Sequence, residues 1–156
     1  MTHIRINTGM FGLLLLAGYA ACASKSSNAV PEQRSVGVVV DGSSMALIAA
    51  QGFYMASSNT TTVSGANGAG YPHLNLRFPG NKVGTFTCGA NAGIDYTPAA
   101  GTTYIAGAGG DCTITVTSYG AVGEAITGTF SATPKSGAAS LKLTQGGFNV
   151  VRRSDL

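Results

Sequence analysis

Cys112-Thr113-Ile114-Thr115-Val116-Thr117 and, a little further on, Ile126-Thr127-Gly128-Thr129-Phe130-Ser131-Ala132-Thr133 keep a two-residue alternation that sets hydroxyl side chains on one parity. A period of two is that of a half-buried strand, whose successive side chains face opposite sides of a sheet. Threonine suits the outer face, because a β-branched residue packs on a pleated surface while its hydroxyl meets water. The same alternation extends outward along the chain. Val36, Val38 and Val40 share one parity; Leu74, Leu76 and Phe78 share another, with His73, Asn75 and Arg77 between them. Thr85-Phe86-Thr87-Cys88 and Leu141-Lys142-Leu143 repeat it. Turn formers separate these runs at Asp41-Gly42, Pro79-Gly80-Asn81, Asn91-Ala92-Gly93, Tyr119-Gly120, Ser136-Gly137 and Gly146-Gly147, a spacing that implies hairpins rather than helical crossovers. Ser44 to Ala50 is the one ambiguous run. The expected fold is all-β: an antiparallel sandwich or a partly closed barrel of nine or ten short strands over residues 35–153, with one core and no substantial helix.

The N-terminus reads as an address. Residues 1–23 comprise a short region with Arg5, an apolar run from Met10 through Leu13-Leu14-Leu15-Leu16, and the small residues Ala20-Ala21-Cys22-Ala23. The apolar run is about a dozen residues, short of the roughly 20 that a spanning helix needs, so it is expected to be an export signal. Cleavage after Ala23 would release a soluble protein. Cleavage before Cys22, with a lipid on its thiol, is favoured because residues 22–34 are polar, Ser-rich and suited to a flexible tether. The anchor implies a membrane partner, and Ala23 after the cysteine fits an outer-membrane or cell-surface destination.

Either cut leaves Cys88 and Cys112, an even number for an oxidising compartment. Cys88 shares a parity with Phe86, and Cys112 with Ile114 and Val116, so both thiols are expected to point inward. They form either a disulfide, which is favoured, or two free buried thiols.

The 156 residues are 44% hydrophobic and 10% charged, which excludes disorder. Nine Lys and Arg are scattered among six acids, so no basic face for nucleic acid is expected. Acid-base chemistry has little to work with. Beyond the leader His73 is the single histidine, and a Ser-His-Asp arrangement would have to join it to Asp41, Asp95 or Asp111 and to Ser43, Ser44 or Ser118 without a nucleophile elbow. Asp95, Asp111 and Glu124 fall near turns and could cluster as glycosidase carboxylates, although turns select Asp in any case. No Cys-x-x-Cys or histidine cluster suggests a metal, and no cofactor motif is present.

The strand series Cys112-Thr-Ile-Thr-Val-Thr, Ile126-Thr-Gly-Thr-Phe-Ser-Ala132 and Gly147-Phe-Asn-Val150, with the earlier Leu74-Asn-Leu-Arg-Phe-Pro-Gly80 and Gly84-Thr-Phe-Thr87, resembles a family of exported, often lipid-anchored bacterial β-domains of unknown function. The resemblance covers about residues 72 to 153. It implies fold and location and carries no activity across, since the shared residues are turn glycines and core apolars.

What remains is surface. Tyr71, Tyr96 and Tyr119 lie beside predicted turns, where loops above a rigid scaffold present aromatics to a protein or glycan ligand. The expected function is therefore a non-catalytic envelope or surface lipoprotein acting as a binding or adhesion module. A self-assembling structural protein is the alternative, and a hydrolase using loop carboxylates stands behind both.

Overall fold

The computed structural model describes residues 34–68, 70–107 and 111–156, and within them the chain is all-β. Its thirteen strands are β1 Ser35–Val40, β2 Ser43–Leu47, β3 Ala49–Met55, β4 Thr60–Ala66, β5 His73–Pro79, β6 Gly84–Thr87, β7 Gly93–Ala99, β8 Thr102–Ala106, β9 Asp111–Tyr119, β10 Ala125–Thr133, β11 Lys135–Ser136, β12 Ala139–Ser140 and β13 Leu143–Arg152. One 3-10 turn, Ala56–Ser58, is the only helical piece among the described residues, and no helix there is long and apolar enough to cross a membrane. The strands form one sheet in the order β12-β11-β8-β7-β5-β4-β3-β13-β10-β9-β6, with β1 added to β13 and β2 to β1. This sheet curls into a half-barrel. The export signal, Cys22 and the tether up to residue 33 lie outside the described residues.

Two expectations need correction. The strand count is higher because the ambiguous run is two strands interrupted at Ile48, and because β11 and β12 make a two-residue hairpin too short for periodicity to register. Nor is every pair antiparallel: β13 runs parallel to β3 at Val151↔Gln51 and Arg152↔Gly52. β13 thereby becomes the hub of the fold. β10 lines one of its edges; on the other, β1 occupies Leu143 to Asn149 and β3 takes the last two residues. The tail then continues along β3, with Arg153 N–H donating to Gly52 O at 2.7 Å and Leu156 N–H to Tyr54 O at 2.9 Å.

Parity sorts the core as the alternation predicts. Val36, Leu74, Leu76, Phe78, Ile114 and Ile126 are all fully buried. The curl brings separate stretches of sheet face to face. A Cβ at Gly65 on β4 would stand 3.0 Å from Val36 and 3.1 Å from Leu47, and Phe78 of β5 stacks on Phe86 of β6 with centroids 5.3 Å apart. Cys88 and Cys112 are joined as a disulfide, Cα to Cα 5.0 Å, which ties the end of β6 to the start of β9. The alternative of two free thiols is excluded, and the bridge marks an oxidising environment.

Candidate functional site

Register defines the two ends of the sheet. Asp111↔Thr133 and Ala132↔Leu143 put the start of β9, the end of β10 and the start of β13 together; Tyr119↔Ile126 and Ile126↔Val150 mark the opposite end. At the first end opens a cleft of about 590 Å3. Its lining includes the hydroxyl-bearing residues Thr87, Thr113, Ser131, Thr133 and Thr144, with Asp111 and Lys142 as the charged members. The disulfide, Ala132 and Leu143 supply its apolar part.

The cleft exists because β13 does not run straight past its neighbours. Against β10 the register passes from Phe130↔Gly146 to Ala132↔Leu143, and against β1 from Gly37↔Gly147 to Val39↔Thr144. Each step leaves one extra residue on β13 around Gln145, which sits at φ 50. A bulge bends its strand and ends local pairing, which here opens a gap beside Ser131. A left-handed backbone costs a non-glycine residue about 1 kcal/mol, so the packing on both sides must hold Gln145 there.

Lys142 is positioned by the β1–β2 turn. Asp41 and Gly42 have φ 45 and 87, the pair of positive values that a tight two-residue hairpin uses. The Lys142 N–H donates to Asp41 Oδ1 at 2.7 Å, and Asp41 N–H donates back to Lys142 O at 3.0 Å. Among the described residues neither Asp111 nor Lys142 takes part in an ion pair. The arrangement gathers one acidic residue, one lysine and five residues whose hydroxyls can give and receive hydrogen bonds.

The three tyrosines expected to bind do not assemble. Tyr71 is exposed, on the β4–β5 connection. Tyr96 is a core residue, 5% exposed, on the inner face of β7 beside fully buried Ile94, and burial raises its hydroxyl pKa. It cannot be presented by a loop. Tyr119 ends β9 at the far end of the sheet. The Thr61 hydroxyl donates to Gly80 O at 2.7 Å, so the Tyr119 hydroxyl must be the donor in its own 2.7 Å bond to Thr61 Oγ1. Burial pushes the Tyr119 pKa up, the Thr61 hydrogen bond and the Arg152 charge oppose this, and the Arg152 guanidinium stands 5.1 Å over the ring. Tyr119 is thus engaged in packing.

The carboxylates are scattered too. Asp111 and Glu124 flank opposite ends of the nine-residue β9, roughly 25 Å apart at the rise of a strand, well beyond the reach of a glycosidase pair. Glu124 caps the β9–β10 turn by accepting from Ala121 N–H at 2.7 Å, and Asp95 faces Arg77 at 3.5 Å. His73 meets Ser64 at 3.1 Å on the outer face of β4 and β5, and Ser64 is not one of the serines weighed from sequence. No group of three or more His, Cys, Asp or Glu side chains that could hold a metal occurs among the described residues. The cleft residues missed from sequence belong to the Thr-rich outer parity, whose alternation was visible; the bulge that gathers them was not.

The sequence profile of a family described as a domain of unknown function, DUF6252, matches residues 49–152. The chain belongs to the DUF6252 family. The DUF6252 match runs from β3 to β13 and includes every residue of the cleft, whereas β1 and β2 precede it. It also agrees with the strand series from which a family of unknown function was expected. No curated protein and no solved structure matches the chain.

Proposed function

We propose that this DUF6252 chain is a non-catalytic lipoprotein of a bacterial cell envelope, anchored through Cys22, whose β domain binds a glycan ligand in the cleft between Asp111 and Lys142. The observation that carries this reading is the cleft itself, because neighbouring hydroxyls flanked by one acid and one lysine match the donors and acceptors of a polyhydroxylated ligand. The Cys88–Cys112 bridge supports an oxidising, exported location. Ser35 enters the sheet level with Asn149, and Arg34 donates to the Asn149 side chain at 2.7 Å. The cleft lies at the Leu143 end of β13, roughly 20 Å along the strand from that entry.

Intact-mass analysis of the mature protein tests the anchor: a diacylglyceryl modification at Cys22 is expected, lost in Cys22→Ala together with membrane retention. A glycan array tests the ligand. Thr113→Val and Lys142→Ala should each weaken any hit about fivefold or more, the equivalent of one hydrogen bond. An array with no hit above background, while a protein array yields a partner sensitive to the same substitutions, would replace the glycan by a protein ligand.

A further inference from the structure

Between Asp41 and Arg77 the chain contains no Asp, Glu, Lys or Arg, and that run holds β2, β3 and β4. Among the described residues β2 pairs with β1 alone, over an unbroken register from Val40↔Ser43 to Val36↔Leu47. Its other edge therefore carries the unpaired N–H and C=O groups of an edge strand. β4 packs on the face of β2 at Leu47.

Most of the remaining edges are blunted by familiar devices, and β8, uncharged as well, is met by β11 at Ile105. β6 is four residues long and follows Lys82; β11 follows Pro134 and begins with Lys135; β12 has two residues. β2 has no charge, no Pro, no Gly and no bulge. Its outward side chains Ser44 and Ala46 are small and exposed, and Ile48, just beyond, is 58% exposed. A regular uncharged edge of this kind is a template for a further strand.

We propose that β2 is a self-association edge that pairs antiparallel with β2 of a second copy, about a two-fold axis at Ala46. In this register Ala46 faces its own copy, Ser44 of one protomer faces Ile48 of the other, and Met45 faces Leu47. Selection of an unlike partner draws on complementary charge, which β2 lacks. Self-pairing meets no like-charge repulsion across the strands, and the isologous contact closes at a dimer. The two half-barrels then share one continuous sheet.

The test uses the full-length chain in the membranes of the cells that express it. Directly opposed residues of an antiparallel pair have Cα atoms about 4.5 to 5.5 Å apart, within disulfide reach. Ala46→Cys is therefore expected to give a disulfide-linked dimer under mild oxidation, whereas Thr129→Cys, exposed on β10, is not. Ala46→Lys should abolish the dimer captured by amine-independent chemical cross-linking and leave the far-UV circular dichroism of the folded domain unchanged. An Ala46→Cys thiol that reacts with a maleimide but stays monomeric would overturn the proposal. So would cross-linking of Ala46→Cys to a different protein, or equal dimer yields from Ala46→Cys and Thr129→Cys. None of these outcomes depends on whether the cleft binds a glycan.

Discussion

Two glycines in the last long hairpin have aromatic rings where their own side chains would stand. Gly128 on β10 faces Phe148 on β13, and Phe130 faces Gly146, so each strand gives the other one glycine and one ring. A Cβ at Gly128 would lie 2.2 Å from Thr115 O and 2.4 Å from Phe148 Cζ. Backbone blocks one side and a core ring the other, so neither can move aside. Gly128→Ala is expected to destabilise the domain by about 3 kcal/mol, the upper end for overpacking, measured as a lowered denaturant midpoint; an unchanged midpoint would mean that the ring relocates freely. The glycine and phenylalanine positions stood out in the sequence as a strand series, but their reciprocal contact did not, because it depends on register between strands. Tyr96 teaches the opposite. It shares the parity of Ile94 on β7, a mark of the inner face that outweighs nearness to a turn.

At the level of elements, the disulfide and the bulge shape the same cleft by different means. β6 is an edge strand with β9 as its one partner, and the Cys88–Cys112 bridge fastens its end across a sequence separation of 24 residues. Closing a loop of that length removes denatured-state entropy equivalent to about 3 kcal/mol. The double variant Cys88→Ala with Cys112→Ala should lose about that much in equilibrium unfolding, and reductant should shift the wild type toward it without affecting the variant. Both cysteines could be assigned to the inner face from local alternation. The bulge was illegible for a physical reason: Gln145 looks like an ordinary turn-flanking residue, and only the simultaneous register against β1 and β10 forces it to φ 50.

For the whole molecule, closure rests on β13 and the residues after it. The tail contributes three backbone hydrogen bonds along β3: from Arg153 to Gly52, from Leu156 to Tyr54 and from Ala56 to Leu156. Asp155 adds a bidentate pair with Arg152 at 2.8 and 2.9 Å. Removing residues 153–156 is expected to cost roughly 2 kcal/mol, at about 1 kcal/mol per hydrogen bond less partial replacement by water, and to raise amide exchange selectively at Ala56, whose N–H donates to Leu156 O. The all-β class could be read from alternation, which is local. The parallel seam between β13 and β3 could not, because it joins segments about 100 residues apart with no pattern of their own. That seam also has a temporal side. β1, β3 and β10 all dock on the last of the described strands to be made, so a nascent polypeptide lacks the template for closure until β13 emerges. Such an order of synthesis keeps the growing chain open and threadable, the condition in which an export channel accepts its cargo.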